Sequence, residues 1–122
     1  MNEGGDYMSA QEVVEKYFKS WTSKDFKTAR SMLADNISFS GPIDTFHSAD
    51  DLIKSIEGLA QMLKGVKTNK VFVSGNDVAH FYTLKTPMGD APVAELYTVK
   101  NGKIASMQAI FDARPFANMG NK

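Results

Sequence analysis

The sequence predicts an α+β fold in which a curved antiparallel sheet wraps around N-terminal helices. Three observations carry this expectation. Apolar residues recur at helical spacing through the first half, behind serine caps. From Val66 onward they alternate, with turn residues between the runs. Asn101-Gly102, the strongest short hairpin signal, joins the last two runs. Helices first and hairpin-linked strands second exclude the alternating order of an α/β fold.

The elements follow in order. Ser9-Ala10-Gln11-Glu12 is a capping box: the serine oxygen accepts an orphan N–H and the glutamate reaches back to the cap. Val13, Val14, Tyr17, Phe18 and Trp21 then share one helical face. Thr22, Ser23 and Lys24 break this helix. A second is predicted from Asp25, with Phe26, Ala29, Met32 and Leu33 on its buried side and Asn36 closing it. Residues 37–40 alternate as a short strand, ended by Gly41-Pro42. Ser48-Ala49-Asp50-Asp51 starts a third helix, with Leu52, Ile56, Leu59 and Leu63 at helical spacing and Gly65 as its stop. Strands are predicted over 66–74, 78–86, 92–100 and 103–112.

A chain of 122 residues buries about two-thirds of its surface on folding, enough for one self-sufficient core. One domain is expected over 9–115, with a short leader at 1–8 and a loose tail at 116–122. A hydrophobic share of 43% excludes a wholly disordered chain. No apolar run is long enough for a bilayer, and the first residues lack the apolar stretch of a secretory signal. The 14 basic residues balance 14 acidic ones, so no basic excess points to nucleic acid or to a membrane surface. A cytoplasmic protein with neither partner is expected. The absence of cysteine excludes disulfides and a thiol nucleophile. GxGxxG, P-loop, HExxH and GxSxG motifs are missing, and no cofactor is expected. Asp44, His47, Asp50 and Asp51 are metal-ligand types, but nothing fixes a third ligand. They read as a polar loop entering a helix cap, and no metal is expected.

Strand parity carries more. On the last strand Ala105, Met107, Ala109 and Phe111 share one face, and Ile104, Ser106, Gln108 and Ile110 the other. The second set is more apolar than a solvent face needs and suggests a subunit interface. On the preceding strand Val93, Glu95, Tyr97 and Val99 share a face. Turned inward, that set puts a carboxyl and a phenol beside the aromatic stripe of the first helix. Turned outward, Glu95 pairs with a lysine in water. Trp21, Phe39, Tyr97, Met107, Ala109 and Phe111 are candidate pocket-lining residues, although Trp21, Met107 and Phe111 fit a plain core equally well. His80 reads first as a structural histidine on a strand.

The chain resembles the nuclear-transport-factor-2-like superfamily, in particular its SnoaL-like and ketosteroid-isomerase-like branch, over residues 9–112. The resemblance rests on the helix from Val13 to Trp21, Lys24-Asp25-Phe26, Met32-Leu33-Ala34-Asp35-Asn36, the Gly41-Pro42 corner and the third helix. It continues through Glu95 to Ile104 and ends at Asp112. It implies a cystatin-like cone with a pocket at its wide end, and homodimers through the outer sheet face. The fold hosts isomerases, dehydratases, cyclases, hydrolases and non-catalytic modules. In the isomerases a tyrosine of the first helix and a protonated aspartate of the penultimate strand donate to the substrate oxygen. Tyr17 stands at the first position. Glu95 stands at the second if the final hairpin is one residue shorter, and Ala94 in an ungapped alignment. The isomerase base precedes the corner proline, where this chain has Gly41. Asp44, His47, His80 and Asp112 are the substitute base candidates.

The expected function is a small-molecule-binding protein whose apolar pocket holds a hydrophobic ligand oriented by Tyr17 and Glu95, with no reaction assigned. The alternative is an isomerase, cyclase or dehydratase acting on a carbonyl-containing hydrophobic substrate. In it Tyr17 and Glu95 stabilise the enolate oxygen and one of the four candidates moves the proton. A second alternative is a non-catalytic association module.

Overall fold

The computed structural model describes residues 8–114. The expected tail, and all but the last residue of the expected leader, lie outside them. Three helices, α1 (Ala10–Thr22), α2 (Phe26–Ser31) and α3 (Ala49–Met62), pack against one sheet. Its strands are β1 (Leu33–Ser40), β2 (Thr45–Phe46), β3 (Gly65–Ser74), β4 (Asp77–Thr86), β5 (Gly89–Lys100) and β6 (Lys103–Phe111). They lie in the order β2-β1-β6-β5-β4-β3, in a curved sheet that does not close. Every neighbouring pair is antiparallel except β1 and β6, which run parallel. No helix of the described residues is long and apolar enough to cross a membrane.

The caps act as their chemistry dictates. Ser9 Oγ accepts from the Glu12 N–H at 3.2 Å, and Glu12 Oε1 accepts from the Ser9 N–H at 2.9 Å. Ser48 Oγ accepts from the Asp51 N–H at 3.1 Å at the start of α3. The apolar face of α1 then buries Val13, Val14, Tyr17, Phe18 and Trp21. Asn101 and Gly102 both take positive φ, 52° and 78°, as a tight turn between twisted strands requires.

Several boundaries differ from the sequence expectation. The second helix ends at Ser31, and Leu33 to Asn36 belong to β1. The Ile104 N–H donates to the Met32 carbonyl at 2.8 Å, and Leu33 pairs with Ile104. Sheet pairing therefore captures residues whose spacing alone reads as helix. Gly65 opens β3 instead of stopping α3, because Leu63 already caps the helix in an extended conformation. Strand β2, with only Thr45 and Phe46, is too short to show alternation, and Phe46 pairs with Phe39. Strand β5 starts at Gly89 because Asp90 and Ala91 still pair with Lys85 and Leu84.

One irregularity changes the parity of β6. Thr98 pairs with Ser106 but Val99 pairs with Ile104, so Ala105 is an extra residue, a β-bulge. Ile104, expected on the outer face with Ile110, thereby turns inward and is fully buried, whereas Ile110 is 62% exposed. Ile104→Ala should therefore cost about 3 kcal/mol, measured by urea denaturation.

Candidate functional site

The concave side of the sheet and the helices α1 and α3 enclose a cavity of about 180 Å³. Tyr17 and Trp21 enter it from α1, and Leu52, Ile56 and Leu59 from α3. Tyr82, Leu84, Val93, Glu95, Met107, Ala109 and Phe111 form the sheet wall. Phe39, Gly41, Ile43, Asp44 and Phe46, from β1, β2 and the corner between them, make the rim with Ser55. The lining is almost wholly apolar, so its few polar groups dominate its chemistry.

Glu95 is the central one. Strict alternation along β5 turns Ala91, Val93, Glu95, Tyr97 and Val99 inward. Glu95 is only 8% exposed and makes no ion pair among the described residues. The Tyr97 hydroxyl, on the same strand and face, donates to Glu95 Oε1 at 2.6 Å. The Tyr82 hydroxyl, from the neighbouring strand, donates to the same oxygen at 2.8 Å. Tyr82 pairs with Val93, which puts it diagonally opposite Glu95 on the inner face. Burial pushes the Glu95 carboxyl above its ordinary range, while the two phenol bonds pull it back. Burial, and then the charge of Glu95, hold the phenols of Tyr17, Tyr82 and Tyr97 protonated well above their ordinary value.

Both phenols reach the same carboxyl oxygen. Glu95 Oε2 accepts from none of the described residues, and the Tyr17 hydroxyl donates to none of them. The Tyr17 ring meets Tyr97 edge-on, with centroids 6.3 Å apart. The cavity thus has one hydroxyl and one carboxyl oxygen uncommitted within an apolar wall.

The other predicted site residues divide. Trp21, Phe39, Met107, Ala109 and Phe111 line the cavity. Tyr97 does not; it lies behind Glu95, fully buried, and acts through its hydrogen bond. Among the four base candidates only Asp44 lines the cavity, at the exposed rim, where its backbone carbonyl accepts from the Gly41 N–H at 3.0 Å. His47 is exposed just after β2 and does not line it. Asp112 is exposed and tied to Arg114 at 2.6 Å, which holds its carboxyl down at about 2.

His80 pairs directly with Glu95 across β4 and β5 but borders a second cavity, of about 240 Å³, lined by Val14, Glu15, Phe18, Lys19, Thr68 and Val71. Its ring packs on Phe18 and Tyr82 with centroids 4.5 and 4.6 Å away, and Nε2 bonds Thr68 Oγ1 at 2.9 Å. Nδ1 is buried with no hydrogen-bond partner among the described residues. Burial depresses this imidazole to about 4, with Glu15 opposing weakly, so it is neutral at pH 7.

Tyr82, which lines the cavity and bonds Glu95, is a residue that the sequence reading missed. Counting by twos from Val78 along β4 puts it on the inner face, but only the strand register puts it beside Glu95. The rim residues Ile43 and Phe46 carry no periodic signal at all. Beside this rim, a Cβ on Gly41 would lie 3.2 Å from the Phe39 ring. Among the described residues no group of three or more His, Cys, Asp and Glu could hold a metal ion.

A family profile described as the SnoaL-like domain matches residues 14–107. Among solved structures, one of a protein from Kribbella flavida is similar, with 29% identity and a TM-score of 0.84 over 90% of this chain and 92% of that one. An NTF2-like protein of unknown function from Cytophaga hutchinsonii is 24% identical, with a TM-score of 0.78 over 89% and 95% of the two chains. An LEH-like epoxide hydrolase from M. tuberculosis shares the fold at 17% identity, with a TM-score of 0.70 over 85% and 83%. No curated protein matches the chain.

The buried histidine sets a pH dependence. Its pKa is near 4 folded and near 6.5 unfolded, so between those values the unfolded chain binds the extra proton. Stability should therefore fall as pH drops from 6.5 towards 4. Urea midpoints across this range should drop steeply in the wild type and less steeply in His80→Gln.

Proposed function

Because the chain belongs to the SnoaL-like domain family, we propose that it binds a hydrophobic small molecule in the α1–α3 cavity, with Tyr17 and Glu95 orienting the polar end. The observation that carries this reading is the inward carboxyl of Glu95, held by two phenols in an otherwise apolar hollow. A plain core would not retain such a group, because burying a carboxyl costs free energy that an apolar residue of similar volume avoids. Size narrows the ligand. An apolar cavity of roughly 150 Å³ holds benzene, and this one is about 180 Å³. A single substituted ring fits wholly within it.

Catalysis on a carbonyl compound is the second reading, and Asp44 at the rim is the observation that favours it. There Tyr17 and Glu95 stabilise an enolate oxygen and Asp44 moves the proton. The position before the corner proline, Gly41, offers no base.

The outer sheet face supports a further element of this proposal, a homodimer. Phe81, Ala94 and Ile110 lie in one row across β4, β5 and β6, and Phe72 and Leu96 flank it. Phe72, Phe81, Leu96 and Ile110 are each more than 40% exposed. The formal net charge is zero, so two copies meet without net repulsion.

Two measurements test these readings. Thermal-shift and native mass spectrometry with single-ring apolar compounds should reveal saturable binding. Ala109→Phe, which fills the cavity, should abolish it while the variant stays folded; undiminished binding in that variant would sink the site assignment. Ile110→Asp should convert the dimer to monomer in sedimentation velocity without changing the circular dichroism spectrum.

A further inference from the structure

We propose that the second cavity, beneath β3, binds a small apolar amino acid in its zwitterionic form, Glu15 holding the ammonium and Lys19 and Thr68 the carboxylate. This site is independent of the α1–α3 cavity, with which it shares no lining residue.

Strand β3 is the last of the sheet. Thr68 and Val71 pair with Tyr82 and His80, so both face inward, yet Thr68 is exposed and Val71 only half-buried. A hollow is therefore left between α1 and this edge strand, with Val14, Phe18 and Val71 as its apolar walls. An apolar cavity of roughly 150 Å³ holds benzene. At about 240 Å³ this one has room for a branched side chain. Its floor is His80, only 4% exposed. The ring shares one hydrogen bond with Thr68 Oγ1, through Nε2 at 2.9 Å, while Nδ1 is buried without a hydrogen-bond partner. A buried N–H without an acceptor is rarer than an unused lone pair, which assigns the proton to Nε2. Thr68 Oγ1 then accepts from the imidazole and keeps its own hydrogen, for which no described residue is an acceptor. Burial keeps the imidazole neutral at pH 7, so the floor brings a donor hydroxyl and no charge.

The mouth carries the charges. Glu15 and Lys19 stand one turn apart on α1, both exposed and both lining the hollow. A glutamate four residues before a lysine ordinarily pairs with it. Here neither makes an ion pair among the described residues. Glu15 Oε2 accepts from Gln11 Nε2 at 3.0 Å, which leaves Oε1 uncommitted. One anion and one cation thus flank an apolar hollow with an uncharged floor. A ligand of single charge satisfies one of them and is repelled by the other. An α-amino acid carries both charges on one carbon and answers both. Its carboxylate accepts from the Lys19 ammonium and from the Thr68 hydroxyl, and its ammonium donates to Glu15. Its side chain lies against Val14, Phe18 and Val71. An exposed pair within one helix is weak, so the ligand meets little competition from Glu15 and Lys19 for each other.

Three probes with one carbon skeleton test the site: L-leucine, isocaproate, which lacks the ammonium, and isoamylamine, which lacks the carboxylate. Nuclear magnetic resonance titrations at neutral pH should shift the amides of Val14, Thr68 and Val71. Leucine should bind at least tenfold more tightly than either singly charged analogue. Glu15→Gln should erase the advantage of leucine over isocaproate, and Lys19→Met its advantage over isoamylamine. Thr68→Val should weaken leucine and isocaproate but not isoamylamine. Val71→Trp, which fills the hollow, should remove all three; the exposed charge variants keep the test decisive if that variant does not fold. Ala109→Phe, which fills the other cavity, should leave leucine binding unchanged. Equal binding of the three probes, loss of leucine binding in Ala109→Phe, or no binding at millimolar concentration overturns the proposal, and the α1–α3 reading stands apart from each of these results.

Discussion

The constraint on which the site depends is the need to satisfy a carboxyl group buried beneath the sheet. Glu95 is only 8% exposed, and no lysine or arginine lies within ion-pair distance among the described residues. Its partners are phenols, which donate without bringing a charge of their own. Because side chains alternate along a strand, Tyr97 on β5 shares its face automatically. Tyr82 does so only through the β4–β5 register. A slip of one residue in that hairpin would send Tyr82 to the outer face and strand the carboxyl. The polar cluster therefore makes one register of the hairpin preferable to its neighbours, while also defining the chemistry of the hollow.

The bulge at Ala105 does comparable work for the other wall. It rotates Ile104 into the core below β1, yet keeps Met107, Ala109 and Phe111 at the cavity. Without the extra residue, one end of β6 or the other would present the wrong face. A bulge also increases local twist and bends the bulged strand, which suits a sheet that curves around helices. The parallel pairing of β1 with β6 then brings the Gly41 corner over the opening.

Much of this architecture is written in local chemistry. The serine caps, the apolar stripe of α1 and the Asn101-Gly102 turn each act over a few residues, and each is legible in the chain. So is the inner face of β5, because Val93, Glu95, Tyr97 and Val99 obey simple alternation. What escapes such reading depends on distant partners. Leu33 to Asn36 follow β6 instead of continuing a helix. Ile104 changes sides because of a bulge that no composition announces. Tyr82 becomes a partner of Glu95 through pairing between strands. Tyr97, whose inward face is readable, proves to stand behind the carboxyl instead of at the cavity surface. His80, legible as a strand residue, owes its neutral state to burial, against Phe18 of a helix far away in sequence and Tyr82 of its own strand.

Gly41 bears on how this scaffold could change its chemistry. A side chain at that corner would crowd the Phe39 ring at 3.2 Å, so the aromatic must yield by a few tenths of an ångström before any new group can enter. An acid grafted there would arrive together with a displaced ring at the entrance, trading aperture for reactivity. A proton-transferring variant of this corner therefore comes with a small shift of the Phe39 ring at the entrance.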